Sequence, residues 1–177
     1  MKATIALLPG DGIGPEIMAQ ARLLLQHIAA LGGHRFEFES RPIGGAAVDA
    51  LGLPLPGNTL AACRTADAVL LGAVGGPRWD RIESAMRPEQ GLLELRRKLG
   101  LYANLRPVAP HPALFAASPI KPDRLAGVDL IVVRELTGGL YFGRKFEGAN
   151  RAEDVCSYRR EEIERLVRRA ADLATRR

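Results

Sequence analysis

Ala3-Thr4-Ile5-Ala6-Leu7-Leu8-Pro9-Gly10-Asp11-Gly12-Ile13-Gly14-Pro15-Glu16 is the stretch whose reading decides the fold class. Its apolar run, Ala3 to Leu8, stops at Pro9-Gly10, the pattern of a short buried strand. Three glycines then make a tight turn. Pro15 suits the first position of a helix, and Glu16 faces the positive end of that helix's dipole. Ile17, Met18, Ala21, Leu24, Leu25 and Ile28 follow at helical spacing, and Gly32-Gly33 ends the run. A buried strand feeding a helix is the opening half of an α/β unit.

Working outward, His34 to Ser40 alternates, with Phe36 and Phe38 on one face, and reads as a half-buried strand. Short helices are expected over Gly45 to Leu51 and Asn58 to Thr65. Ala68 to Leu71 is a second buried strand, released into a glycine-rich loop, Gly72-Ala73-Val74-Gly75-Gly76-Pro77-Arg78-Trp79-Asp80. Pro88 opens a helix to about Leu99. Leu101 to Arg106 is a strand, followed by a proline-rich connection from Pro107 to Pro122. Asp129 to Val133 is a β-branched strand, and Thr137 to Gly143 reads as a turn and strand. Gly143 to Ser157 is polar and irregular, a candidate arm. Arg160 to Arg177 is an amphipathic helix with Ile163, Leu166, Val167, Ala170 and Ala174 on its inner stripe. Strands alternating with helices give an α/β sheet.

Composition narrows the function. Hydrophobic residues make up 47% of the chain, enough for a core, yet no apolar run approaches a bilayer span. The N-terminal apolar run is too short for a signal peptide, so a cytoplasmic location is expected. Two distant cysteines, Cys63 and Cys156, and scattered His27, His34 and His111 offer neither a disulfide framework nor a zinc cage. Net charge is +5, mostly from arginine, but aromatics are only 5%. No compact basic run interleaves with them, which argues against nucleic acid. Arginine forks onto carboxylates and phosphates, which leaves anion recognition as the reading to pursue.

Four constellations bear on it. The Gly10–Pro15 turn is a strand–helix turn or a phosphate cradle; its third glycine comes too soon for G-x-G-x-x-G, and no Gly-Lys-Ser/Thr follows. On the helix from Pro88, Glu89, Leu92, Leu93 and Arg96 occupy i, i+3, i+4 and i+7. They form either a core stripe with snorkelling ends or a pocket wall that binds an anion beside an aliphatic group. Arg106 and Arg134 stand at strand ends, where open α/β sheets bind ligands; an internal pair between Arg134 and Glu135 is the rival explanation. Tyr141, in a glycine-rich turn, is packing or a proton donor whose phenol nearby arginines would make easier to ionise.

Five ordered segments together resemble the isocitrate/isopropylmalate dehydrogenase family of β-decarboxylating hydroxyacid dehydrogenases. They are Leu8–Glu16, Gly72–Asp80, Arg87–Arg96, Ala103–Pro107 and Val133–Gly143. The resemblance implies that Arg96, Arg106 and Arg134 hold the substrate's carboxylates. It implies that Tyr141 helps protonate the enol left when carbon dioxide departs. Leu92 and Leu93 match positions that contact an isopropyl group, where isocitrate-specific members place a polar, serine-type residue; the isopropylmalate members are favoured. Glu89, Gly75, Gly76, Pro77, Arg78 and Trp79 match nicotinamide-side cofactor contacts, with Ile13 nearby.

The implied reaction is NAD-dependent oxidation and decarboxylation of (2R,3S)-3-isopropylmalate to 2-oxo-4-methylpentanoate, a leucine precursor, assisted by Mg²⁺ or Mn²⁺. The family's catalytic lysine, metal-binding aspartates and adenosine-binding loop match nothing up to Arg177, so no metal ligand is expected in this chain. The expectation is therefore the N-terminal, truncated portion of a two-domain α/β fold, inactive in isolation. Residues 1–102 would be the first segment of a discontinuous first domain. Residues 103–177 would be part of the second, with a dimerisation arm near 144–158 and a homodimer when complete. A non-catalytic dicarboxylate-binding or partner-complementing fragment, and a tartrate or malate dehydrogenase of the same family, stay open.

Overall fold

The computed structural model describes every residue from Met1 to Arg177. The chain divides into two compact units, Met1–Leu99 and Gly100–Arg177.

In the first unit β1 (Lys2–Gly10) lies between β2 (Arg35–Ser40) and β3 (Ala68–Ala73), and both pairings are parallel. A central strand of a parallel sheet is covered on both faces, so it reads as a continuous apolar run. Side chains alternate along it. Ala6 and Leu8 join Ile43, Cys63 and Leu95 on one side; Ile5 and Leu7 join Met18 and half-buried Phe36 and Phe38 on the other. The helices are α1 (Gly14–Leu31), α2 (Gly45–Leu51), α3 (Gly57–Thr65) and α4 (Pro88–Lys98). Thr59 of α3 is fully buried and donates to the Pro42 carbonyl at 2.8 Å, which satisfies its hydroxyl. Burial puts Cys63's thiol above its ordinary pKa, with Glu39's charge adding to the effect, so this cysteine is a packing residue. The apolar spacing of α1 mixed two faces. Met18 and Leu25 pack on the sheet, whereas Ile17, Leu24 and Ile28 remain exposed.

The β1–α1 turn touches β3 backbone to backbone. A Cβ at Gly10 (φ +69°) would lie 1.8 Å from the Ala73 carbonyl oxygen, and one at Gly14 would lie 2.1 Å from that of Pro9. No side chain fits either place.

The second unit is built from antiparallel pairs. β4 (Ala103–Val108) pairs with β5 (Leu130–Glu135), and β6 (Lys145–Glu147) with β7 (Ala152–Asp154). A short helix, α5 (Pro122–Leu125), interrupts the proline-rich connection, and α6 (Arg160–Ala174) closes the unit. Three expectations are corrected. The stretch expected to be irregular between Gly143 and Ser157 holds the β6–β7 hairpin. Thr137–Gly143 contains no strand; Gly139–Tyr141 is a 3-10 turn instead. The inner stripe of α6 is displaced: Leu166 and Ala170 are half-buried along with Leu173, while Ile163 and Val167 are exposed. A two-stranded ribbon is narrow, so it covers only part of a helix with a wide apolar face.

Candidate functional site

The glycine-rich turn after β1 resolves in favour of structure, through a residue that composition and spacing passed over. Asp11 is buried at 3% exposure. Its Oδ2 accepts from the N–H groups of Gly45 and Gly75, both at 2.8 Å, and its Oδ1 accepts from Ala46 N–H at 2.7 Å. Gly45 and Ala46 open α2, whose first N–H groups lack helical partners. Asp11 is thus the anion that answers them, and the turn is not a cradle waiting for phosphate. The available signal was an acid between two glycines, a side chain that has to enter wherever the turn points it.

Asp11 also fixes the start of the second glycine-rich loop. Gly75 and Gly76 there have φ of +97° and +156°. A Cβ at Gly75 would sit 2.2 Å from Glu89 Oε1, so two residues assigned to the cofactor by resemblance, one from the loop and one from α4, stand against each other. Arg78 and Trp79 are engaged elsewhere. The Trp79 indole N–H donates to Asp49 Oδ1 at 3.1 Å, and Arg78 pairs with Asp49 Oδ2 at 3.1 Å. The Arg78 guanidinium also lies 5.6 Å from the Trp79 ring centre. Asp49, on α2, is a second residue that sequence reasoning missed. Ile13 stands exposed at the head of α1.

On α4 the core-facing positions are Pro88, Gly91 and Leu95. Glu89, Leu92, Leu93 and Arg96 project about a third of a turn of the helical wheel away from them. The core-stripe reading of that quartet therefore fails. Leu92, Leu93 and Arg96 are half-buried and Glu89 is exposed.

In the second unit Arg106 and Arg134 do not sit beyond the ends of a parallel sheet. Arg106 lies within β4, and both arginines use the face of an antiparallel ribbon. Asn104 is directly opposite Arg134 in the register, and Arg106 is two residues from Asn104. All three side chains therefore share one face. Arg106 Nε donates to Asn104 Oδ1 at 2.7 Å. Arg134 donates from Nη2 to Tyr141 Oη at 2.7 Å, with its guanidinium 5.1 Å from the ring centre. Arg134 and Tyr141 line a groove of about 550 Å³ together with Lys145, Leu140 and Ile163 and the acidic Glu135 and Asp154. Arg96, carried by α4, belongs to the other unit.

The rival pair between Arg134 and Glu135 does not form. Glu135 instead accepts from Thr137 N–H (2.6 Å), Thr137 Oγ1 (2.7 Å), Gly138 N–H (2.6 Å) and Arg165 Nη2 (2.6 Å). Burial alone would raise its pKa. The bonds from Thr137, Gly138 and Arg165 outweigh burial and hold it below the ordinary glutamate value. Arg165 stacks over Tyr102, with 4.6 Å from guanidinium to ring centre, and also bonds Thr137 Oγ1. One carboxylate therefore ties the turn that carries Tyr141 to the strand that carries Arg134 and to α6.

No three histidine, cysteine, aspartate or glutamate side chains converge as a metal-binding group. No helix is long and apolar enough to cross a membrane.

A family model described as isocitrate/isopropylmalate dehydrogenase matches residues 4–177. The chain is 54% identical to a 3-isopropylmalate dehydrogenase of Heyndrickxia coagulans, over 98% of its own length and 49% of the relative's. It is 52% identical to the enzyme of that name from Bacillus subtilis, over all of its own length and 50% of the relative's. Among solved structures, an isocitrate dehydrogenase from Methylococcus capsulatus aligns with TM-score 0.77 and 32% identity, over 98% of this chain and 48% of that one. A β-decarboxylating dehydrogenase from Thermococcus kodakarensis aligns with TM-score 0.68 and 34% identity, over 98% and 46%. The chain spans about half the length of the curated relatives it matches.

Proposed function

The chain belongs to the isocitrate/isopropylmalate dehydrogenase family, and from that premise we propose that it carries the substrate-gripping part of an NAD-dependent oxidative decarboxylation of (2R,3S)-3-isopropylmalate. The observation that carries the reading is the Arg134–Tyr141 bond, on the ribbon face shared with Arg106. In the second unit Arg106 and Arg134 take a substrate carboxylate, and their planar donors fix its orientation; in the first unit Arg96 carries a carboxylate-holding role by resemblance to the family. Leu92 and Leu93, half-buried on the open face of α4, receive the isopropyl group. An isocitrate-type carboxylate would meet two leucine side chains that offer it no hydrogen-bond donor.

A bound nicotinamide would accept the hydride from the hydroxyl-bearing carbon. Gly75, Gly76 and Glu89 fit its approach, because the glycine backbone is bare and the carboxylate stands beside it; Ile13 and Pro77 join them by resemblance to the family. Loss of carbon dioxide breaks a C–C bond and leaves its electron pair in an enolate. Tyr141 then delivers a proton to carbon. Arg134 donates to the phenol oxygen, so the phenol's own O–H is directed away from the guanidinium and toward an acceptor. The product is 2-oxo-4-methylpentanoate. No three acidic, histidine or cysteine side chains of this chain converge to hold the family's divalent metal by themselves. The setting is a cytoplasmic homodimer, with the β6–β7 hairpin as the dimerisation arm.

The test mixes the purified chain with the separately expressed C-terminal half of the Bacillus subtilis relative. Isopropylmalate-dependent NADH formation is expected, and Arg134→Met should abolish it. A mixture that assembles, yet neither binds isopropylmalate by calorimetry nor forms NADH, overturns the proposal.

A further inference from the structure

We infer that α2 is a seat for the Gly75–Asp80 loop, with Gly45 as the contact surface and Asp49 as the catch. Both are positioning residues for the nicotinamide side of the site; the inference rests on the cofactor reading above and reassigns two of its residues. Three observations carry it. A Cβ at Gly45 would lie 2.2 Å from Trp79 Cε2 and 2.3 Å from Cζ2, so the indole lies flat on bare helix backbone. Asp49, one helical turn further along α2, uses one carboxylate oxygen for the indole N–H and the other for Arg78. Gly45 N–H is itself held by Asp11 Oδ2, which also holds Gly75 N–H. The loop is thereby fastened to α2 at both of its ends, Gly75 through Asp11 and Arg78-Trp79 through Asp49. Arg78 and Trp79 set the loop's position, and the ligand is left to the backbone of Gly75 and Gly76 and to Glu89.

Arg78 and Asp49 are both solvent-accessible, so their ion pair alone is weak. The flat seat at Gly45 is what makes the position specific. This separates the inference from ordinary helix energetics. Alanine is a better helix former than glycine, so Gly45→Ala should tighten α2 if Gly45 has no further role. If Gly45 is a seat, the added methyl must push Trp79 away.

Trp79 is the only tryptophan in the chain, so it reports its own loop. Gly45→Ala and Asp49→Ala are expected to move its emission to longer wavelength and to raise acrylamide quenching about twofold. Tryptic cleavage after Arg78 and Arg81 should quicken by roughly tenfold as the loop opens locally. Asp49→Asn keeps an acceptor for the indole and should give only about a twofold rise in cleavage. Wild-type quenching and cleavage in both alanine variants overturns the inference. If Gly45→Ala does not fold, Asp49→Ala, a change at an exposed position, decides alone. Titration with NADH of the assembled mixture of the chain and the C-terminal half of the Bacillus subtilis relative, followed by NADH fluorescence, tests the cofactor half. Binding weakened about tenfold in the alanine variants supports positioning for the ligand. Equal binding despite a loosened loop overturns it. A loosened loop with no NADH response even in the wild type upholds the seat and sinks the cofactor reading instead.

Discussion

Replacing Asp11 tests how the first unit is held together. Its carboxylate accepts three backbone N–H groups from two segments that are far apart in sequence, and it is almost wholly buried. A hydrogen bond to a charged group contributes about 1.5–3 kcal/mol net, and a buried donor left without a partner costs about 1–3 kcal/mol. Asp11→Asn keeps one oxygen. Placed where Oδ2 now lies, it still accepts from Gly45 and Gly75, but its NH₂ faces the Ala46 N–H, donor against donor. The loss of one bond and of the charge gives roughly 2–3 kcal/mol. Asp11→Ala orphans all three donors; Ala46 is exposed enough for water to reach it, which brings the cost to about 4 kcal/mol. Against a typical total of about 5–15 kcal/mol, the alanine variant would lose from about a quarter to about four-fifths of its stability. Urea titration of the chain, followed by circular dichroism and Trp79 fluorescence, measures this. With a slope near 2 kcal/mol/M, Asp11→Asn should lower the midpoint by about 1 M. Added sulfate should partly restore Asp11→Ala, since an external anion can meet the vacated N–H groups. Midpoints within experimental error of the wild type for both variants would refute the idea that this carboxylate organises the turn, the loop and α2.

Other consequences can be checked alongside it. Glu135 is held below its ordinary pKa in the folded chain, so its charge stabilises at pH above about 4.3 and that contribution is lost as acid protonates it. Melting of the wild type should therefore fall steeply below about pH 4.5, and Glu135→Gln should melt lower near neutrality with a flatter acid limb. In a reconstituted enzyme Tyr141→Phe should lower kcat by roughly 10²-fold with little change in KM, because the phenol acts after substrate is bound; equal loss in KM would point to packing instead. Leu92→Ser or Leu93→Ser should cut kcat/KM for isopropylmalate by about tenfold or more while sparing malate, since a buried isopropyl group is worth about 1–3 kcal/mol. An unchanged preference would remove the aliphatic-pocket argument.

The elements were legible where burial leaves one option. β1 is apolar at every residue from Ile5 to Leu8 because the sheet covers both its faces, and that is visible in the letters alone. Pro15 and Pro88 marked helix starts because proline costs nothing where N–H groups have no partner. The second unit was harder to read. The β6–β7 hairpin is stabilised by cross-strand pairs such as Lys145–Asp154 at 3.0 Å, and its three-residue strands show no hydrophobic period. The stripe of α6 was misplaced because periodicity reports every apolar residue on a face, whereas packing reports the ones a neighbour reaches. At the site, Arg134 and Tyr141 were legible as chemistry but not as partners. Asp11 and Asp49 were missed, and Glu135 was read only as a rival partner of Arg134, because a single acid near a turn has no pattern; its meaning is in which donors surround it.

Those acids separate the arginines into two kinds. Many arginines of this chain meet a carboxylate: Arg41 meets Glu39, Arg78 meets Asp49, Arg144 and Arg151 meet Glu153, Arg160 meets Glu164, and Arg165 meets Glu135. Their charge is answered within the fold, and they are structural. Arg106 and Arg134 bond neutral acceptors instead, the Asn104 amide and the Tyr141 phenol. A neutral acceptor orients a guanidinium without neutralising it. Neither guanidinium is ion-paired, although Glu135 and Asp154 line the groove beside Arg134. Glu135 sits next to Arg134 in sequence and is the obvious neutraliser, yet alternation sends its side chain to the opposite face, where Arg165, Thr137 and Gly138 occupy it. Had Glu135 reached Arg134, the ribbon would hold an internal ion pair; alternation along one strand is what keeps the two side chains from pairing.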